Sequence, residues 1–335
     1  VITTSSATAV AHPNLALVKY WGKRDDALIL PHQSSLSLTL APLTVKATVE
    51  FGAEADEVVI NGKPAQGSEL SRVLGVIDEL RRELRRGLKP DPGRVRMRSA
   101  GNFPMSAGLA SSAAAFAAIA VAARAAAGLP RDTRAESILA RLGSGSACRS
   151  VLGGLVAWRR GEKPDGSDSF AEQVAAPSHW PQLRMVVAVV NREEKEVKSR
   201  DGMRHTVETS PYYPAWVKDA EGEIARAEDF IRRKDLQALG ELAERNAWRM
   251  HATAFAANPP LCYLKPKTLE VIQRLPEARK QGLPVWFTLD AGPNPVLLTD
   301  EAHVGQVEAL VRGCGAQDVV ACVPGGDAWL EASAP

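Results

Sequence analysis

Across residues 68–86 the apolar positions Leu70, Val73, Leu74, Ile77, Leu80 and Leu84 recur at helical spacing, with charged residues between them. That pattern predicts an amphipathic helix, with Ser68 as a cap at its start and Gly87 at its end. Residues 36–51 read differently: β-branched residues dominate and Pro42 interrupts them, which predicts two strands or one bent strand. Residues 57–60 form a further short strand ahead of an Asn61-Gly62 turn. Residues 94–98 and 154–158 are strand-like, and a helix is expected around 135–142.

Residues 161–168, rich in Gly, Pro and Asp, and then residues 176–182 precede a strong apolar strand at 185–190. A domain boundary near Gln182 follows, giving residues 1–182 and 183–335. Beyond it, 211–233 and 236–256 read as long amphipathic helices and 268–281 as a third. Strands at 285–289, 295–298 and 319–323 and a helix at 303–312 complete the pattern. Strands and helices alternating with mixed crossover lengths predict an α+β fold in both halves.

The length of 335 residues is compatible with two domains, and 45% hydrophobic against 24% charged residues supplies a sizeable core. The 41 Lys+Arg and 39 Asp+Glu leave a net charge of +2, so there is no electrostatic footprint for wrapping nucleic acid. Cys148, Cys262, Cys314 and Cys322 contain no CxxC pair, which argues against a zinc site or disulfide framework and for a reducing, cytoplasmic setting. No signal peptide is expected, because the first ten residues lack a basic stretch and a continuous apolar run. The alanine-rich stretch 107–123 runs straight into Arg124 and is short of a membrane span, so it is expected to be a buried helix.

Five segments could carry chemistry. In NFPMSAGLASSAA (102–114), Ser106, Ala107, Gly108, Leu109, Ala110, Ser111 and Ser112 lead into the alanine helix. A helix entrance offers unpaired N–H groups and a positive dipole end to phosphate, and small side chains let phosphate approach. Tight helix packing with serine caps fits the composition equally. GSGSACRS (143–150) combines a polar Ser-Gly-Ser core with Arg149, whose fork suits a carboxylate or phosphate, but an ordinary turn also fits. FTLDAGPN (287–294) sets Asp290 at a strand end before a glycine turn, as a base, a metal ligand or an Asx-turn residue. NLALVKYWGKRD (14–25) groups Lys19, Lys23 and Arg24 around Tyr20 and Trp21, which suits a polyphosphate or a solvated basic turn. In KEVKSRDGM (195–203), Ser199 and Arg200 open a helix after a strand. The six histidines form no HxxxH pair, no GxGxxG or Walker loop occurs, and His251 reads as a half-buried packing residue.

Together AHPNLALVKYWGKRD, LPHQSSLSLTL, NFPMSAGLASSAA, GSGSACRSVLGG, SRDGM and FTLDAGPN closely resemble the diphosphomevalonate decarboxylases of the GHMP kinase superfamily. The likeness extends over nearly the whole chain. It implies a two-domain GHMP kinase fold, with an N-terminal α/β domain, a ferredoxin-like C-terminal domain and a cleft between them, and a homodimer. It also implies a reaction: ATP with Mg2+ and (R)-5-diphosphomevalonate give isopentenyl diphosphate, ADP, phosphate and carbon dioxide. On the family pattern Asp290 takes the C3 hydroxyl proton, Arg149 orients the substrate carboxylate, and Lys19 lies near the reacting groups. Tyr20, Lys23, Ser144, Gly145, Ser146, Arg200 and Arg72 are implied at the diphosphate end. Asn14, Ser106, Ala107, Gly108, Leu109, Ala110, Ser111, Ser112 and Ser199 are implied at the nucleotide, with Ser112 also catalytic beside the γ-phosphate and the metal. Gln33, Met105 and Pro295 depart from the residues common in that family. Decarboxylation of 5-phosphomevalonate, or phosphorylation at C3 alone, is the nearest rival activity; a catalytically silent nucleotide or isoprenoid sensor is another.

Overall fold

A computed structural model describes residues 5–103, 111–193 and 196–332. The chain opens with β1 (Ser5–Ala11), β2 (Asn14–Val18), the short pair β3 (Lys23–Asp25) and β4 (Leu30–Pro31), then β5 (Ser35–Ala41) and β6 (Val45–Ala53). β7 (Glu57–Ile60) and β8 (Lys63–Pro64) lead to α1 (Gly67–Arg86), β9 (Arg94–Gly101), α2 (Ser111–Ala126) and α3 (Thr133–Gly143). A 3₁₀ segment, Gly145–Val151, precedes β10 (Leu155–Trp158) and β11 (Ala171–Ala175). The second half runs β12 (Leu183–Val189), α4 (Ser199–Thr209), α5 (Tyr213–Arg233), α6 (Leu236–Phe255) and α7 (Pro266–Lys280). β13 (Trp286–Thr288), β14 (Val296–Asp300), α8 (Val304–Gly313), β15 (Asp318–Pro324) and β16 (Trp329–Leu330) complete it. Helices and sheets are mixed in both halves, an α+β architecture.

Two large sheets organise these elements. One has the order β16-β1-β6-β9-β7-β8, and the other runs β11-β10-β5-β15-β12-β14-β13 with β2 also on β5. In β5, Leu38 faces Leu155 of β10 on one side and Leu15 of β2 on the other. Further along the same strand, Ala41 pairs Val323 of β15. The first and second halves of the chain therefore share one hydrogen-bonded sheet. The last strand returns as well, pairing Val10 with Trp329.

Helix α2 lies in the core because it is made of small residues. Every side chain from Ala113 to Arg124 is buried, and Arg124 pairs with Glu83 at 2.5 Å. Alanine lets the helix approach β1, β6 and α3 closely, as tight packing requires. Among the described residues, no helix is long and apolar enough to cross a membrane.

Two local expectations change. The first helix starts one residue earlier than its periodicity indicated, with Gln66 at the N-cap and no side-chain cap, so Ser68 lies inside it. Gly67 takes φ +55°, which lets the chain turn into the helix before Ser68 is reached. The second change is at the N-terminus, where β1 and β2 form without a strand signal in the sequence. All five residues of β2 are buried, so the strand shows no alternation to read.

Candidate functional site

The site forms where β2, α2, the Gly145–Val151 segment, α4 and the turn after β13 converge. β13 ends at Thr288, and two residues later Asp290 begins a tight turn in which the Gly292 N–H donates to the Asp290 carbonyl at 2.7 Å. Thr288 Oγ1 donates to the Ala16 carbonyl at 2.9 Å, tying β13 to β2. That tether sets Asp290 against the end of β2. The Lys19 ammonium donates to Asp290 Oδ1 at 2.5 Å and to the Ala16 carbonyl at 2.8 Å. Lys19 is buried and Asp290 is half-exposed. Burial pushes the Lys19 ammonium below the usual lysine range, Asp290 pulls it back up, and Arg149 adds to the lowering.

Arg149 is fully buried yet has no carboxylate partner among the described residues. Its Nε donates to Ser37 Oγ at 2.8 Å and to Asn14 Oδ1 at 3.3 Å, its Nη2 to Asn14 Oδ1 at 3.2 Å, and its Nη1 to Ser35 Oγ. All these acceptors are neutral, so they orient the guanidinium without cancelling its charge, and burial holds it below the usual arginine range. An anion entering this site would gain a desolvated, pre-aimed fork. Asn14 lies beneath Arg149, with its amide given to Ser150 Oγ at 2.7 Å and the Ser146 carbonyl at 3.0 Å.

Toward the other end, Ser112 at the start of α2 lies 3.3 Å from Ser144, hydroxyl to hydroxyl. The described first turn of α2 carries no acidic residue to oppose its positive end. Gly145 allows close packing: a Cβ would sit 2.8 Å from Tyr20 and 2.9 Å from Trp158. Those two rings stack edge to face at 4.7 Å, and burial raises the Tyr20 phenol above its ordinary range.

Arg72 lies over the Phe116 ring at 5.2 Å, while Arg200, on α4, donates to the Gly143 carbonyl at 3.4 Å. Burial and then the nearby Arg200 lower Arg72. Neither arginine makes an ion pair among the described residues, so two cations face one region with no carboxylate in contact with either. Lys23 is half-buried and paired with Asp26. Ser199 is the first residue of α4. The structure thus gathers Asn14, Lys19, Tyr20, Ser144, Gly145, Ser146, Arg149 and Asp290 through direct contacts or a continuous chain of them. Ser106, Ala107, Gly108, Leu109 and Ala110, and Met105 with them, lie outside the described residues.

Sequence reasoning missed several residues around this site. His251 is fully buried rather than half-buried, because α6 passes directly behind Asp290; its Nε2 donates to the Leu289 carbonyl at 3.3 Å. Burial, then the nearby Lys19, push the imidazole down to about 4. Asn246, five residues earlier on α6, is also buried and accepts from the Lys19 backbone amide. Its only sequence signal is a polar residue on the apolar face of a helix. Gln33 is buried with its Nε2 donating to the Trp21 carbonyl at 3.3 Å, and the Pro295 carbonyl accepts from the Ala188 amide in the sheet.

Comparisons with known proteins match the chain along both halves. A diphosphomevalonate decarboxylase-like N-terminal domain model matches residues 11–171, and a mevalonate 5-diphosphate decarboxylase C-terminal domain model matches residues 185–323. The diphosphomevalonate decarboxylase of Aspergillus fumigatus is 40% identical over 329 residues, covering 92% of this chain and 81% of that protein. The mevalonate diphosphate decarboxylase of Staphylococcus aureus superposes with a TM-score of 0.90 at 33% identity, over 98% of this chain and 99% of that one. A structure of MDDEF in complex with MVAPP, AMPPCP and magnesium also has a TM-score of 0.90, at 36% identity and with the same coverage. Matched along both halves, in sequence and in three dimensions, the chain belongs to the diphosphomevalonate decarboxylase family.

Proposed function

We infer that this protein converts (R)-5-diphosphomevalonate and ATP into isopentenyl diphosphate, ADP, phosphate and carbon dioxide, in the mevalonate route to isoprenoids. The observation that carries the reading is the Lys19–Asp290 pair lying beside the buried Arg149, which no carboxylate of the described chain neutralises. Such a site offers a proton acceptor, a cation for developing oxygen charge and a fork for a carboxylate, all within one enclosure.

In the proposed reaction the C3 hydroxyl gives its proton to Asp290 as the γ-phosphoryl group of ATP transfers to its oxygen. Lys19, already held at 2.5 Å from that carboxylate, stabilises negative charge as it shifts between the hydroxyl and the phosphoryl oxygens. The C3–O bond then breaks and its electron pair leaves with phosphate. The carboxylate held by Arg149 departs as carbon dioxide, and the electrons of its C–C bond close the C2–C3 double bond. No organic electron sink is needed, because phosphate takes the electrons. Arg72, Arg200, Lys23, Tyr20 and the Ser144–Ser146 turn bind the diphosphate end. Asn14 acts here by orienting Arg149, while Ser111, Ser112 and Ser199 serve the nucleotide; Ser106 to Ala110, which the resemblance also assigns to it, lie outside the described residues.

The donor set also fits magnesium carried by ATP. Among the described residues no group of three or more His, Cys, Asp or Glu is placed to hold a metal ion, so phosphate oxygens and the Ser112 hydroxyl would bind it. Bound there, Mg2+ supplies neutralisation of phosphate charge. The reading includes residues 1–182 as the nucleotide-binding part, residues 183–335 as a ferredoxin-like partner, a homodimer and a cytoplasmic location.

The test is to incubate the protein with Mg–ATP and, separately, with 5-phosphomevalonate or 5-diphosphomevalonate, and to measure ADP and carbon dioxide together. Equal release of both from the diphosphate is the expected result. ADP without carbon dioxide would make it a 3-kinase, and preference for the monophosphate would reassign the substrate.

A further inference from the structure

We propose that Asn246 and Glu223 are positioning residues that hold Lys19 in register with Asp290, an inference that rests on the functional reading above. β2 ends at Val18, so the amide of Lys19 falls just beyond the strand ladder. It donates instead to Asn246 Oδ1, at 2.8 Å. The other end of that carboxamide, Nδ2, donates to Glu223 Oε2. Glu223 Oε1 in turn accepts from Arg249 at 3.1 Å and lies 3.6 Å from Arg245. Asn246 is 0% exposed and Glu223 1%. A buried polar chain therefore runs from the surface arginines Arg226, Arg245 and Arg249, through α5 and α6, to the backbone of the lysine that touches Asp290.

The chemistry of the chain is directional. Asparagine suits the middle position because its side chain accepts at one end and donates at the other. Glu223 ties α5 to α6 through Arg245 and Arg249, yet a buried carboxylate is often no more stabilising than packed apolar side chains, so its bond to Asn246 points to orientation as well. Holding a carboxamide in a single orientation is what the carboxylate achieves. The same helix also grips the opposite side of the pair, since His251 donates to the carbonyl of Leu289, the neighbour of Asp290. α6 thus fixes both partners, Lys19 through Asn246 and Asp290 through His251, as a rigid gauge of their spacing.

The experiment uses Asn246→Ala, Asn246→Asp, and Asn246→Asp combined with Glu223→Gln, read by steady-state kinetics, thermal melting and hydrogen exchange of the Lys19 amide in 15N-lysine-labelled protein. Asn246→Asp can accept from Lys19 but sets two carboxylates face to face. In the double variant the introduced glutamine donates to the introduced aspartate, so both links form again, with the donor direction reversed only between positions 246 and 223. Misplacing Lys19 should lower kcat by about 10- to 100-fold in the single variants, with the KM for ATP changed by less than about threefold. The Lys19 amide should exchange faster in Asn246→Ala. The double variant should regain kcat to within about threefold of the parent, together with amide protection. Parent-like kcat or unchanged exchange in a folded single variant overturns the proposal. So does a double variant that melts like the single one and recovers neither property. A parent protein that releases no carbon dioxide from diphosphomevalonate defeats the functional reading instead, and amide exchange then decides the positioning chain alone.

Discussion

Lys19 and Asp290 stand 271 positions apart in the chain and 2.5 Å apart in the structure. The contact is made possible by the Ala16 carbonyl, which accepts both from the Lys19 ammonium and from the Thr288 hydroxyl. One backbone oxygen on β2 therefore fixes the lysine side chain and the strand that delivers the acid. Burial of the ammonium disfavours its charge, and the carboxylate restores part of what burial removes.

Asp290→Asn tests the acid directly. The replacement is nearly isosteric, and its carbonyl can still accept from Lys19, so the turn at Gly292 should persist. It cannot take the hydroxyl proton, and general-base catalysis is worth about 10²–10⁴-fold. ADP and carbon dioxide should fall together by at least that factor, because phosphorylation precedes carbon loss. Substrate and ATP should bind within about tenfold of the parent, since other groups hold the phosphates. ADP formation at the parent rate with diphosphomevalonate present would remove Asp290 from the role.

Arg149→Lys should damage turnover more than nucleotide binding. Ser35, Ser37 and Asn14 receive the guanidinium at three of its nitrogens, a geometry that a single ammonium cannot reproduce. The substrate carboxylate would lose its oriented fork while ATP keeps its own contacts. Measuring kcat beside the ATP dissociation constant checks this. Equal loss of both would move Arg149 to the nucleotide side.

Lys23→Ala should raise the KM for diphosphomevalonate and shrink the preference for diphosphate over monophosphate. Lys23 is half-buried and its protein partner, Asp26, is exposed, so a substrate phosphate can replace or join that partner. The ratio of kcat/KM for the two substrates is the measurement. An unchanged ratio would show that Lys23 does not read the second phosphate.

His251 should make stability depend on pH. Its folded value, about 4, lies below its ordinary 6.5, so the unfolded chain binds a proton more readily than the native one. Stability is fully present above pH 6.5 and is lost as pH falls from 6.5 toward 4. The gap corresponds to about 3 kcal/mol for this buried ring. His251→Leu should flatten the slope of unfolding free energy in that window, measured by urea titration at several pH values. An identical slope in the variant would show that other groups govern the acid limb.

Periodicity alone marked most of the helices and the principal strands, because amphipathic spacing is a local property of the chain. α1, α5 and α6 lie close to where their apolar stripes indicated, and the Pro42 break separates β5 from β6 as its missing N–H requires. The clustered motifs likewise marked Lys19, Arg149 and Asp290, since such residue types beside glycine turns are unusual in combination. Tertiary structure alone decided that Lys19 meets Asp290, that Asn14 serves Arg149, and that Asn246, Glu223 and His251 stand behind the pair. Those contacts join β2 to the turn after β13 and to two helices, far apart in sequence, and no local pattern encodes the partner of a buried polar group. The shared sheet through β5 and β15 is of the same kind: strand pairing over 282 positions, as between Ala41 and Val323, follows from how the whole core closes.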